Sequence, residues 1–526
     1  MKKQLLTLSM CLASLGGLYA QSTPYYYKEG TVTDLSQLKN DDLILLQDIH
    51  TDRSGFIDLD NTNGFTQFNT DAYYADFNFI DKSYKGGTIF QVKIAEDGSY
   101  KFFNVENQKY IKNNTNSGAT IEATEVDANN TFSITLIDGE TRKWKITSKE
   151  NGFSLDANPG EPVLYNGNGH PFYIHKLTTE KPETPWYYLA VYGIVETDGR
   201  KGNCIEKDAP EKPDGIYAGN KIQIDYTNQI WRFEEDPNGE NSFAIVNKNG
   251  GSIGDRTNDE AKSRYAFNQS EIKYQFQIKK GPDQGGVATF NIQRPEAGKW
   301  YINAAGNGQG YYLNEWSAPN ANDYMAGAWS AVIATELKSV GEYALGTFSA
   351  PYNVELPEGV SAYIAISSNA TSLTLEELTL TENILPANTP VVLKSSDAGF
   401  YPMKQTATTA SPIEKENLLA GTGTDRTLTP SSGAFILSQS NGETGFYNYT
   451  GSAIGVFKAY LPKTTADGEQ IRVKSIQFPG EGTTGIENIE NCVENKNAPI
   501  YNLNGQRVTN PTKGIYIKNG KKFIVK

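Results

Sequence analysis

Histidine and cysteine are scarce in this chain, with 3 of each among 526 residues. A Ser-His-Asp or Cys-His triad therefore has only His50, His170 and His175 to draw on. His170 and His175 stand five apart around Pro171 in a strand-like run, unlike the helical i, i+4 pair of a zinc hydrolase. No Gly-x-Ser-x-Gly elbow occurs, and no cofactor-binding or metal-binding motif is legible. The oxygen-rich run Asp255-Arg256-Thr257-Asn258-Asp259-Glu260 lacks the glycine and terminal glutamate spacing of a calcium loop. Cys11 lies in the N-terminal apolar run, which leaves Cys204 and Cys492 in different regions and excludes a disulfide framework. Basic excess is missing as well. A net charge of −13, dispersed along the chain, argues against nucleic acid as a partner, because phosphate binding needs clustered Lys and Arg. Beyond the N-terminus no segment approaches the roughly 20 continuous apolar residues that span a bilayer as a helix.

What the chain does have is 49 Gly, 31 Tyr and 23 Phe, with only 4 Met. Short aromatic and β-branched runs bounded by Gly, Asn, Asp and Pro recur throughout, and sustained helical periodicity does not. The expected class is all-β. At the N-terminus Lys2 and Lys3 precede an apolar run from Leu5 to Leu18 and Ala20, before polar Gln21-Ser22. That pattern is a signal peptide over residues 1–20, so the expected localisation is secreted or at the cell surface.

Three changes of composition divide the rest. Thr178 to Pro185 is polar and proline-rich, a stiff linker. At Leu337-Lys338-Ser339 an Asn-, Gly- and Trp-rich stretch gives way to a Leu-, Val- and Thr-rich one. Pro479 to Gly485 is a glycine-rich spacer. The expected domains are 22–180, 185–337, 338–478 and 486–526.

The first two repeat one grammar: an aromatic strand, a glycine turn, a second aromatic strand, and a short Gly/Lys-aromatic-Ile/Leu strand. In the first domain it appears at Ile89 to Ile94, Tyr100 to Phe102, Trp144 to Ile146 and Phe172 to His175. In the second it appears at Gln229 to Phe233, Phe243 to Asn247, Tyr274 to Ile278, Thr289 to Ile292, Gly298 to Ile302 and Ala328 to Val332. Roughly three units in about 150 residues is what a three-lobed β-trefoil requires, since each lobe is too small to bury a face alone.

The pair Gln229-x-Trp231 and the run Gly298-Lys299-Trp300-Tyr301-Ile302 make the second domain resemble the ricin-type β-trefoil lectins, and the first resembles them more loosely. The resemblance implies that Trp231 packs the trefoil core and that the ligand is carbohydrate. Independently, Tyr312, Asn314 and Trp316 alternate along one strand after a turn containing Asn307. Aromatic faces pack on the C–H faces of sugars, and amides bond to their hydroxyls, so these four are the candidate ligand-binding residues.

The third region, with Ile384-Leu385-Pro386-Ala387-Asn388-Thr389-Pro390-Val391-Val392-Leu393 and Lys458-Ala459-Tyr460-Leu461-Pro462, resembles a β-rich, sandwich-like module of Bacteroidetes surface proteins, whose role is that of a spacer or stalk. In the last stretch Asn504-Gly505 and Asn519-Gly520 are hairpin turn signals between the runs Ile500 to Leu503, Gly514 to Ile517 and Phe523 to Val525. This tail resembles the C-terminal sorting tails of Bacteroidetes secreted proteins, including those of the type IX system, which implies the export or surface-attachment machinery as a partner. The composite expectation is a non-enzymatic, exported carbohydrate-binding protein whose partners are glycans or glycoproteins. Two alternatives stand beside it. One is an adhesin or matrix component without sugar sites; the other is a glycoside hydrolase, which would need two carboxylates roughly 5–9.5 Å apart across a cleft.

Overall fold

The structure, a computed structural model, describes residues 25–479 apart from 50–54, 60–64, 68–82, 85, 113–118, 121, 125–129, 159–160, 168, 193–198, 210–211, 238–241, 260–263, 282–285, 295–299, 305–312, 317–326, 369–371, 441–442 and 465–474. It also describes the strands at 500–502, 507–508, 514–518 and 521–525. The chain is all-β: among the described residues the helices are single 3-10 turns of three residues. The strands form where side chains alternate. In Trp144–Ser148, for example, Trp144, Ile146 and Ser148 are buried while Lys145 and Thr147 face outward.

In the first region six strands close on themselves. Leu43–Asp48, Phe90–Ile94, Tyr100–Asn104, Phe132–Leu136, Trp144–Ser148 and Phe172–Thr178 each pair with the next, and the last pairs back to the first. Three hairpins among the described residues branch from this barrel: Gly55–Ile57 with Phe65–Gln67, Lys109–Lys112 with Glu122–Thr124, and Ser154–Asn158 with Glu161–Tyr165. The second region repeats the plan with Tyr187–Val191, Ile230–Glu235, Phe243–Asn247, Gln277–Lys280, Phe290–Arg294 and Trp329–Val340. Its hairpins are Asn203–Ala209 with Lys212–Lys221, Ser252–Asp259 with Arg264–Ser270, and Trp300–Ala304 with Leu313–Trp316. Six closed strands and three hairpins are the β-trefoil arrangement, and closure leaves the barrel strands no free edge.

The threefold repeat is written in the core. Large side chains occupy the paired positions of neighbouring strands at Ile44↔Phe90, Tyr100↔Phe132 and Trp144↔Phe172 in the first barrel. In the second the pairs are Tyr187↔Trp231, Phe243↔Phe276 and Phe290↔Trp329. All but Tyr100 are buried, so each lobe contributes one plug to a common centre.

The third region is a sandwich. One sheet contains Tyr343–Phe348, Val391–Ser395, Ser361–Ser368 and Ser372–Glu377; the other contains Ala420–Gly421, Ala459–Pro462, Ala434–Ser440 and Glu443–Tyr449. Leu345, Tyr363, Leu373, Val392, Phe446 and Leu461 pack between them.

Two connections tie this region to the barrels. Strand Trp329–Val340 runs through the compositional change at 337: its first part pairs with Tyr187–Val191, its middle with Gly399–Gln405, and its end with Tyr343–Phe348. One hydrophobic core accordingly extends from Tyr187 to Phe457. A second connection reaches the first barrel, where Thr427–Leu428 lies beside Tyr26–Thr31 and is itself paired with Ala453–Ile454. The Thr31 N–H donates to the Arg426 carbonyl at 2.9 Å, Arg142 pairs with Asp425 at 3.2 Å, and Leu428 is buried in the core of the first barrel. Gly30 allows the approach, since a Cβ there would stand 2.8 Å from the Leu428 nitrogen. In the tail, Arg507–Val508, Ile500–Asn502, Gly514–Lys518 and Lys521–Val525 form a separate antiparallel sheet in that order. Residues 1–24 and 480–499, which hold the expected signal peptide, most of the glycine-rich spacer and Cys492, lie outside the described residues.

Candidate functional site

The Gln229-x-Trp231 pair is wholly built into the barrel. Trp231 is fully buried, and its Nε1–H donates to the Ile205 carbonyl at 2.8 Å. Trp329 does the same in the next lobe but one, donating to Ile302 at 3.0 Å. Gln229 Nε2 donates to Glu206 Oε2 at 3.1 Å and to the Lys221 carbonyl at 3.1 Å, while its Oε1 accepts from the Gln223 N–H at 2.8 Å. Asn220 Nδ2 completes the set by donating to the other oxygen of the buried Glu206 at 2.7 Å. A buried carboxylate with both oxygens hydrogen-bonded to neighbouring amides is held in place as part of the barrel wall. The latch formed by Asn104 and Asn247 was not read from the sequence. Asn104 Nδ2 donates to the carbonyls of Gly87 and Ile89, and Asn247 Nδ2 to those of Asn228 and Ile230. Its signal is an asparagine closing each aromatic strand, at Asn104 and Asn247.

The candidate ligand residues fall around the third hairpin of the second barrel. Asn307 and Tyr312 lie outside the described residues. Asn314 and Trp316 belong to strand Leu313–Trp316, whose register sets Asn303 opposite Asn314 and Tyr301 opposite Trp316. Aromatic and amide positions thus run in step along the two strands. Asn303 is buried, with Nδ2 donating to the Tyr301 carbonyl at 2.9 Å, and Tyr301 is half-buried.

Among the described residues, His170 and His175 belong to no cluster that could hold a metal ion. His175 is buried between Thr31, whose hydroxyl lies 3.0 Å from Nδ1, and Gln47, whose Oε1 lies 2.6 Å from Nε2. Burial, followed by the charges of Lys28 and Arg142, holds its pKa well below the usual histidine value, so the ring is neutral. The neutral tautomer that fits has Nε2–H donating to Gln47 and Nδ1 accepting from Thr31. His170 bridges buried Asp48, 3.0 Å from Nδ1, and Asp156, 3.2 Å from Nε2. His50 lies outside the described residues. Burial raises the Cys204 thiol pKa, which keeps it a thiol and a poor nucleophile. Asp255 lies in a hairpin strand, ion-paired to Lys273.

A cleft that sequence reasoning missed opens where the regions meet. It has a volume of about 840 Å³ and is walled by the linker at Glu183 and Trp186, by Glu336 and Lys338 of the long shared strand, and by Tyr449 and Lys458. A second cavity of about 680 Å³ shares Glu183, Glu336, Lys338, Tyr449, Gly455 and Lys458 with it. These residues come from positions nearly three hundred apart, so no local pattern announces them. Lys458 is exposed to the cleft, yet surrounding protein desolvates its ammonium and lowers its pKa, with Glu336 and Glu183 opposing the shift. Since the cleft is open to solvent, that lowering is partial. Trp186 is half-buried under Arg232 and Lys248, whose charged groups lie 4.6 and 4.7 Å from its ring centre.

No known family's sequence profile matches the chain, and no curated protein does. Among solved structures it is similar to a mosquitocidal holotoxin, at 14% identity with a TM-score of 0.31, covering 82% of this chain and 51% of that one. It is also similar to the hemolytic lectin CEL-III, at 13% identity and a TM-score of 0.21, covering 61% of this chain and 71% of that one. A third similarity is to a GlcNAcα1-4Gal-releasing endo-β-galactosidase from Clostridium perfringens, at 11% identity and a TM-score of 0.22, covering 60% and 73%. The chain spans about half the length of the holotoxin chain.

Proposed function

We propose that this chain is an exported, non-enzymatic carbohydrate-binding protein that presents a sugar site on its second trefoil, and that its tail directs sorting or surface attachment. The observation that carries the sugar site is the register of the hairpin Trp300–Ala304 with Leu313–Trp316, which pairs Tyr301 with Trp316 and Asn303 with Asn314. A pyranose needs an apolar platform beside amide donors and acceptors, and two aromatic and two amide positions face one another in the register of this hairpin. The fold alone does not argue function, so the reading rests on that hairpin. A non-catalytic role is supported by the groups that usually carry chemistry. His175, Cys204 and Glu206 are buried in the cores, and His170 is tied to two carboxylates.

A glycan array probed with residues 21–526 tests the reading. Binding to at least one glycan class is expected, and Trp316→Ala is expected to weaken it by about tenfold or more, the scale of a lost aromatic anchor. A folded wild-type protein that binds no glycan overturns it.

A further inference from the structure

The cleft at the junction of the regions has the features of a second binding site. Its volume of about 840 Å³ falls within the range of small-molecule sites, and it shares part of its wall with the neighbouring cavity. Four charged side chains line both spaces: Glu183, Glu336, Lys338 and Lys458. Their charges sum to zero. They are also weakly committed to one another. Lys338 stands 3.8 Å from Glu336, with both side chains well exposed, and the Lys458 ammonium has no ion-pair or hydrogen-bond partner among the described residues. Tyr449 is the aromatic member shared by both cavities. Its hydroxyl donates to the Ala453 carbonyl at 2.6 Å, and it lies so close to Gly451 that any side chain there would strike it. The ring is thus held from the hydroxyl end while it remains half-exposed.

We propose that this cleft binds a neutral oligosaccharide, with hydroxyls bridging the alternating ammonium and carboxylate groups and a sugar face set against Tyr449. The inference rests on the reading of the chain as carbohydrate-binding, and it places a site apart from the hairpin at Tyr301 and Trp316. Charge balance selects the ligand. A carbohydrate hydroxyl both donates and accepts, so each one satisfies a carboxylate and an ammonium together. An anionic sugar would meet Glu183 and Glu336, and a cationic one would meet Lys338 and Lys458. A neutral ligand meets no like charge and releases no counterions, so its affinity changes little with salt.

Isothermal titration of wild type and variants against neutral trisaccharides (xylotriose, mannotriose, β-1,4-galactotriose) and trigalacturonate tests this. At least one neutral trisaccharide is expected to bind wild type, and Tyr449→Ala and Lys458→Met are each expected to weaken it about tenfold. Lys458→Arg, which keeps the charge, should stay within about threefold. Between about 50 and about 500 mM NaCl the affinity should change by less than about threefold. The two readings fail differently. If Tyr449→Ala and Lys458→Met, melting as wild type does, bind as wild type while Trp316→Ala loses binding, the cleft site is refuted and the hairpin reading stands. Tighter, salt-sensitive binding of trigalacturonate refutes the neutral ligand. Wild type that binds no trisaccharide refutes the cleft site, and only a blank glycan array refutes the hairpin reading as well.

Discussion

Leu428 is the place where a residue far along the chain supports a barrel built from residues 25–178. It is 3% exposed and packs with Val32, Leu38, Ile44 and Trp144 in the first core. Replacing it by alanine removes the transfer free energy of its buried side-chain atoms and leaves a cavity. In well-packed cores the two together cost about 2–5 kcal/mol. The neighbouring backbone bond from Thr31 to Arg426 and the Arg142–Asp425 pair survive the substitution, so the site can collapse in part, and about 3 kcal/mol is the expected loss. For a unit of this size that shifts the melting transition by roughly 6–12 °C. The location of the effect is the sharper test. Hydrogen exchange of Leu428→Ala should accelerate in the strands Leu43–Asp48, Phe90–Ile94 and Phe172–Thr178, while Ile230–Glu235 and Phe243–Asn247 of the second barrel keep their protection. If faster exchange is confined to residues 420–462, Leu428 belongs energetically to the third region alone and the reasoning fails.

Two further outcomes follow. Because the folded pKa of His175 lies below that of the unfolded chain, its contribution to stability is complete above about pH 6.5 and is lost as pH falls below that value, at no more than about 1.4 kcal/mol per pH unit. Urea midpoints at about pH 7.5 and 5.5 should therefore separate less in His175→Gln than in wild type, and equal separations would remove His175 from the balance. Deleting residues 486–526 should leave the melting of the upstream regions nearly unchanged, because the described tail strands pair only among themselves, while altering where the protein accumulates in its host. Collapsed stability with normal localisation would make the tail part of the third region's core.

The local features were legible because they depend on neighbours in sequence. Aromatic strands and glycine turns announced the barrel strands, and in the tail the runs flanking Asn504-Gly505 and Asn519-Gly520 coincide with strands Ile500–Asn502, Gly514–Lys518 and Lys521–Val525. Trp231 stood out because its motif is compact. The junction was not legible, for a physical reason. Thr427–Leu428 is a two-residue strand, too short to show a period, and its partner Tyr26–Thr31 lies some four hundred residues away. Strand Trp329–Val340 was hidden in another way: its halves sit in different surroundings, so composition changes at a point where the backbone does not bend aside. The cleft inherits both obscurities, since Glu183, Glu336 and Lys458 come together only once those connections form.

That continuous strand also fixes how the molecule would carry a load. A pull applied between the second barrel and the third region would be carried by Trp329–Val340, whose two ends belong to one and the other. Hydrogen bonds to Tyr187–Val191 on one stretch and Gly399–Gln405 on the next would then be stressed in shear, many at once, instead of being peeled apart singly.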